Sequence, residues 1–277
     1  VVLSVYQVRP ILEARAKQQA TAVSSEDLGM TKHTVPLSED GAAFQIRTVT
    51  WAELEEIRKE ERKVFLISET KIQPVQVFSE TTGWARVLCP TPTAPTVLVS
   101  GIPMHRIKDT DPMADTKSKL EAVGTPKGRV LDTATGLGYT AILAARTAKE
   151  VVTIELDPAA LEIAKFNPWS ADLFEKPNIT QIVGDAVEEI QELPNSSFDS
   201  IIHDPPTMSL GGDLYSEDFY RSLRRLLKRN GRLFHYIGDP NSGIGAKQYP
   251  GVMKRLHAAG FPRVKRHEKA FGVTAEA

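Results

Sequence analysis

Residues 129–141 read Arg129-Val130-Leu131-Asp132-Thr133-Ala134-Thr135-Gly136-Leu137-Gly138-Tyr139-Thr140-Ala141, and this stretch decides the fold. Val130 and Leu131 make a short apolar strand, Gly136 and Gly138 permit a tight turn with close backbone approach, and the Ile-Leu-Ala-Ala run from Ile142 reads as helix. Strand, glycine turn and helix start together make a nucleotide site. Free N–H groups at the head of the helix favour electron-rich ligand atoms, and glycine removes the side chain that would hold the ligand away. Taken alone, Gly136-x-Gly138-x-x-Ala141 also fits a dinucleotide fingerprint, so the ligand has to be decided by other residues.

Short strands and helices alternate outward from this turn. Strands are expected at 129–133, 151–155, 179–183, 200–203 and 232–237, and helical periodicity at 139–147, 158–166, 186–193 and 217–229. A further helix precedes the first strand, with Asp111 as N-cap, Pro112 at its first position and Gly124 closing it. A last helix near 252–259 leads to runs 264–267 and 270–275, close enough together to be a hairpin. This order predicts an α/β fold built on a doubly wound, Rossmann-like parallel sheet. The preceding 104 residues differ in texture. A helix is expected around 11–20 and strands near 43–49, 63–68, 75–79, 84–89 and 96–100, with Thr50 and Glu53 forming a capping box for a helix at 51–60. We therefore expect a small, mainly β N-terminal domain at 1–104 and a nucleotide-binding domain at 105–277.

With 277 residues, a net charge of −1 and 41% hydrophobic residues, the composition is that of an ordinary globular protein. No apolar run approaches the roughly 18 residues of a membrane span. A single cysteine, Cys89, precludes an intramolecular disulfide or a cysteine metal cluster, and the six histidines show no tight ligand pair, so no metal is expected. A cytoplasmic location fits this composition. The charge is uneven: from Arg221 to Gly272 there are 13 Lys or Arg against two acids, Asp239 and Glu268. Such a tract suits contact with RNA, whereas a solvated helix face is the plainer explanation for Arg221, Arg224, Arg225, Lys228 and Arg229.

In open α/β sheets the ligand lies beyond the carboxyl ends of the strands, and here those ends carry acids in sequence. Asp132 ends strand one, Glu155 ends strand two, Asp185 follows strand three and Asp204 follows strand four. Glu155 can accept from both hydroxyls of a ribose, and Asp185, followed by Ala186, from an exocyclic amine on adenine. Asp132 beside the turn suits an ammonium and would repel a pyrophosphate. It favours S-adenosylmethionine over a nicotinamide dinucleotide.

On these residues the chain resembles the class I S-adenosylmethionine-dependent methyltransferases. Asp132-x-x-x-Gly136-x-Gly138 is similar to their first motif, Glu155 to the acid ending their second strand, Gly184-Asp185-Ala186 to their adenine-side motif and Asp204-Pro205-Pro206 to their fourth. Ala134 stands where many members have glycine. The resemblance implies a seven-stranded sheet whose last strand is antiparallel. It also implies cofactor contacts from Asp132, Thr133, Ala134, Thr135, Gly136, Gly138, Glu155, Leu156, Asp185 and Ala186. Runs at 104–112, 203–207 and 234–240 resemble a group of predicted archaeal methyltransferases, which leaves the substrate open.

Methyl transfer from a sulfonium is an in-line displacement that needs an aligned nucleophile and exclusion of water. Asp204, stiffened by Pro205 and Pro206, is placed to accept from a target N–H. In methyltransferases of planar amino groups a similar motif ends in Tyr or Phe; here Thr207 follows, and Tyr139, Tyr215 or Phe219 would have to supply a ring. His105, His203 and His235 are candidate general bases, with His105, on the connector, preferred over the two that lie in apolar strands. The leading expectation is a methyltransferase acting on a nitrogen of an RNA base or an amine. A polyamine-type aminopropyltransferase using the decarboxylated cofactor, a small-molecule methyltransferase, a cofactor-bound RNA scaffold and a dehydrogenase are the alternatives.

Overall fold

The computed structural model describes residues 1–277. Two compact units divide the chain: Val1–Met113 with Ala159–Ala171, and Ala114–Pro158 with Asp172–Ala277. No helix is long and apolar enough to cross a membrane.

The first unit is mainly β. Its helix Val5–Ala16 starts on a capping box between Ser4 and Gln7 and turns Val8 and Ile11 into a core with Leu54 and Ile57 of the helix Trp51–Lys59. The capping box expected there is present: the Thr50 N–H reaches Glu53 Oε2 at 2.8 Å, and the Glu53 N–H reaches Thr50 Oγ1 at 3.3 Å. Short antiparallel sheets surround this core, one of three strands, one of four and two hairpins. The run expected as a single strand at 43–49 is instead a hairpin of Gly41–Ala43 and Thr48–Thr50. The Phe44 N–H bonds the Arg47 carbonyl at 3.1 Å and reverses the chain between them.

In the second unit the helix α1 (Pro112–Val123) leads into β1 (Arg129–Asp132), α2 (Tyr139–Ala144) and β2 (Glu150–Glu155). After the helix α3 (Pro158–Lys165) come β3 (Ile179–Val183), α4 (Ala186–Glu192), β4 (Phe198–His203), α5 (Glu217–Leu226), β5 (Leu227–Tyr236), α6 (Gly243–Ala258), β6 (Arg263–His267) and β7 (Gly272–Glu276). The seven strands pair in the order β3-β2-β1-β4-β5-β7-β6. β1 to β5 run parallel, and β7 lies antiparallel between β5 and β6. This is the Rossmann-like mixed sheet expected from the alternation. Leu131, Ile154, Ile201 and Leu233 of the strands share one buried core with Tyr220 and Leu223 of α5 and Val252 and Leu256 of α6.

Two boundaries moved for local reasons. The helix expected to run through residue 229 ends at Leu226; Leu227 is already extended, and Lys228 bonds Asp199 from within β5 at 2.6 Å. The basic face read onto one helix is thus divided. Arg221 pairs with Glu217 and Asp218, Arg225 Nη1 and Nη2 bond the carbonyls of Leu193 and Ile190, and Arg255 Nε bonds that of Tyr215. α6 begins nine residues before the expected start, capped by Ser242, and carries Pro250 inside it. The proline removes one helical N–H and hides the periodicity on its N-terminal side.

Candidate active site

Parallel pairing brings the carboxyl ends of β1 to β4 to one edge, so Asp132 and Glu155 share it with Asp185 and Asp204 just past the strands. Between β1 and α2 the chain needs left-handed backbone, which Gly136 (φ +54°) and Gly138 (φ +77°) supply. A Cβ on Gly138 would lie 2.6 Å from Leu173 Cδ2. Gly138→Ala therefore combines backbone strain with overpacking and is expected to cost about 2–4 kcal/mol of stability, measured by denaturant unfolding.

Glu155 is the hinge of the turn. Its Oε2 accepts the Gly136 N–H at 2.8 Å and its Oε1 accepts the Asp157 N–H at 3.0 Å. Both carboxylate oxygens are thereby fixed. The hydroxyls of Thr133 and Thr135 point inward, the first to His203 Nδ1 at 2.7 Å and the second to Thr153 Oγ1 at 2.7 Å. What these threonines offer a ligand is backbone, as do Ala134 and Gly136, the two residues of the turn that are not buried.

Asp132 is fully buried. Thr153 Oγ1 donates to its Oδ2 at 2.9 Å, and the Ala134 N–H approaches its Oδ1 at 3.5 Å. Burial pushes its carboxyl up to about 8, with the Asp204 and Glu155 carboxylates adding to the rise and the Thr153 and Ala134 bonds opposing it. The folded protein therefore holds a proton there that the unfolded chain has released. Stability from this group is intact at low pH and falls as pH climbs from about 4 towards about 8. Asp132→Asn removes the penalty, on the order of 4 kcal/mol at neutral pH. In thermal unfolding the variant and the native protein should agree below about pH 4 and diverge progressively up to about pH 8, the variant being the more stable.

Asp185 caps α4, its Oδ1 accepting the Val187 N–H at 2.8 Å, and its side chain is otherwise exposed. Ala186 behind it is buried. Leu156 and Val183, at the ends of the adjacent strands β2 and β3, are 51% and 54% exposed. Two apolar side chains open to solvent beside these two carboxylates fit a flat base whose edge carries an amine. Val183 was not singled out from the sequence, because exposure at a strand end leaves no pattern there.

The residues the sequence reading missed altogether are on α1. Lys119 Nζ lies 2.6 Å from Asp204 Oδ2, 2.9 Å from Asp115 Oδ2, one helical turn earlier, and 4.5 Å from the centre of the Tyr236 ring. Lys119 and Asp115 are buried; the Asp204 side chain keeps 22% of its surface. Burial alone would lower the Lys119 pKa, but Asp204 and Asp115 outweigh it and hold the ammonium above its usual range. Burial raises the Asp204 carboxyl, Lys119 opposing. An i, i+4 Asp-Lys pair on a helix is common on surfaces, and this one was indistinguishable from such a pair.

Pro205 is buried, and the Pro206 carbonyl accepts the Tyr215 hydroxyl at 3.0 Å, so the loop after β4 is held from both sides. Tyr139, Tyr215 and Phe219 are all buried in the core, and Tyr236 is instead the aromatic ring at Asp204's ammonium partner. His203 and His235 are fully buried. His203 Nε2 donates to the Leu214 carbonyl at 2.9 Å and its Nδ1 accepts from Thr133, a neutral tautomer that burial preserves by pushing its pKa down to about 3. His235 Nε2 pairs with the Tyr220 hydroxyl at 2.9 Å and is likewise held neutral by burial. His105 belongs to the first unit, where Thr96 Oγ1 lies 3.0 Å from its Nδ1.

Residues 125–259 match a family model described as a methyltransferase domain. An uncharacterised protein of Methanocaldococcus jannaschii is 44% identical over 236 residues, covering 84% of this chain and 80% of its own. Polyamine aminopropyltransferase 2 of Streptomyces coelicolor is 31% identical over 151 residues, 52% of this chain, but the chain spans only 27% of that relative's length. Among solved structures, a spermidine synthase in complex with the transition-state analogue AdoDATO has a TM-score of 0.60 at 20% identity over 73% of this chain and 72% of its own. Spermidine synthase of Thermotoga maritima has a TM-score of 0.58 at 19% identity, covering 73% and 71%. At such identities these two likenesses show the fold. Residues 125–259 thus carry a methyltransferase-domain match on a Rossmann-like sheet of the kind seen in the two solved structures. The chain as a whole belongs to the family of the Methanocaldococcus jannaschii protein.

Proposed function

We propose that the protein alkylates an amine nitrogen from the sulfonium of an adenosylated donor, with S-adenosylmethionine as donor and methyl as the group moved. The observation that carries this reading is the pair of carboxylates on one sheet edge: Glu155, fixed by two backbone N–H groups, and Asp204, fixed by Lys119. Glu155 takes the ribose hydroxyls, Asp185 the adenine amine, and Leu156 and Val183 the faces of the base. When bound, the donor supplies an electrophilic carbon on a charged sulfur, so attack by the nitrogen lone pair forms the C–N bond, breaks the S–C bond and releases a neutral thioether. Asp204 accepts an N–H from the incoming amine through the oxygen that Lys119 leaves open, aims its lone pair and receives the proton that departs.

Charge favours an amine over an RNA base as the acceptor. The sheet edge presents Glu155, Asp185 and Asp204 to an incoming ligand, a set of carboxylates that suits a cation better than phosphates. Aminopropyl transfer from the decarboxylated donor is the second reading, supported by the likeness to a curated polyamine aminopropyltransferase. Calorimetric titration with S-adenosylmethionine and its decarboxylated form, followed by mass analysis of amine and RNA acceptors, separates the cases. Tight S-adenosylmethionine binding with a methyl increment on an amine is expected. An aminopropyl increment would move the assignment to the second reading, a methylated RNA would overturn the amine, and binding of neither donor would overturn both.

A further inference from the structure

At the opposite end of the strands from Asp132, Glu155 and Asp204, the sheet carries a cleft of about 490 Å³. One wall is the segment 124–127, which joins α1 to β1, and the other is the start of β5. β5 does not pair evenly there: between the pairs Phe198–Leu227 and Ser200–Arg232, Asp199 alone on β4 faces Lys228-Arg229-Asn230-Gly231. The chain turns out of the sheet over these residues, with Asn230 left-handed at φ +65°. A Cβ on Gly231 would lie 2.9 Å from the Lys228 carbonyl oxygen, so the turn is tight.

Lys127, Lys228, Arg229 and Arg232 line this cleft, and Asp199 is the one acid among its lining residues. The acids close by are engaged. Asp199 Oδ2 accepts from Lys228 Nζ at 2.6 Å and from the Arg129 N–H at 2.8 Å, Glu150 pairs with Arg129, and Glu276 is shared by Arg232 and Arg263. Lys127 and Arg229 are exposed and have neither an ion-pair nor a hydrogen-bond partner. Cations near the carboxyl end of a helix are ordinary, and Arg225 serves in that way by bonding the Ile190 carbonyl of α4. Lys127 and Arg229 bond no carbonyl, and their two positive charges face the recess without a carboxylate of their own.

We infer that this cleft binds an oligophosphate, the di- or triphosphate chain of a free polyphosphate or of a nucleotide. Arg229 and Arg232 offer planar forks of N–H donors to phosphate oxygens, Lys127 a point charge, and the Asn230 amide two further donors. One phosphate would reach only part of a recess of this volume, which lies in the range of small-molecule sites. A chain of phosphates meets cations from both walls, Lys127 on one and Arg229 and Arg232 on the other. The inference uses neither the donor site nor the amine, so it stands apart from the alkylation reading.

The test titrates tripolyphosphate, and uridine triphosphate as a nucleotide without adenine, into the full chain by calorimetry at about 0.15 M salt. Saturable binding of tripolyphosphate is expected, and Lys127→Ala and Arg229→Ala should each weaken it about tenfold. Both side chains are exposed and unpaired, so the thermal midpoints of these variants without ligand should match the native one. Lys254→Ala removes an exposed charge of α6 outside the cleft and should leave the affinity unchanged. Equal affinity for the two probes would assign recognition to the phosphates alone, and tighter binding of uridine triphosphate would show that sugar and base are held too; either result supports the site. No saturable binding, or the same loss in Lys254→Ala as in Lys127→Ala, overturns it. So does a single-stranded RNA that binds through Lys127 and Arg229 where tripolyphosphate does not, which would make this end of the sheet a nucleic-acid contact.

Discussion

Asp204→Asn is expected to lower kcat by about 10²–10⁴-fold, the range for loss of a positioned acid–base group, while leaving donor affinity unchanged. The argument lies in the one-sidedness of Lys119, which has only donors. In the native protein Lys119 engages Oδ2 of Asp204 at 2.6 Å, and the Asp204 side chain keeps 22% of its surface. An asparagine must turn its carbonyl oxygen to the ammonium and its NH2 to the acceptor. A donor would then meet the N–H of the incoming amine, and the proton leaving that nitrogen would have no receiver. Lys119 keeps Asp115 at 2.9 Å, so its own charge stays paired and the fold should survive. Single-turnover measurement at saturating donor separates this from a binding defect. A variant that turned over normally would show that Asp204 serves only to hold Lys119.

The sequence made the sheet legible because β1, β2 and β4 are short, largely apolar runs ending at or next to a carboxylate, and buried parallel strands have that appearance. The glycine turn was legible for the same reason that Gly138 cannot change: the left-handed backbone and the Leu173 side chain both require glycine. Lys119 was hidden. Its partner Asp204 lies 85 residues away, and nothing local distinguishes a buried lysine on a helix from a solvated one. The threonine contacts were hidden for a different cause: Thr133 and Thr135 read as ligand-facing residues of the turn, whereas the chain reversal directs their hydroxyls to His203 and Thr153. His105 reads from the sequence as a group on the connector, and its Nδ1 lies beside Thr96 in the first unit. Expected boundaries failed where one residue type carries two meanings, as at Pro250, which ends helices in most sequences and lies within α6 here.

Glu155→Gln should weaken donor binding about 10²-fold and destabilise the fold by about 1–3 kcal/mol, although the substitution is nearly isosteric. Both oxygens of Glu155 accept backbone N–H groups, from Gly136 and from Asp157. Glutamine has one oxygen, so whichever way the amide is turned its NH2 opposes an N–H at 2.8 or 3.0 Å. If the amide faces Gly136, the glycine turn opens and the backbone that should approach the ligand is displaced. If it faces Asp157, the chain leaving β2 shifts and carries Leu156 with it. In either orientation one of the two charge-assisted acceptors for the ribose is lost. Calorimetry with the thioether product reads the affinity and denaturant unfolding reads the stability, and the two losses should appear together. A loss of stability with affinity intact would place the ribose elsewhere along the edge and remove the basis for reading this turn as a donor site.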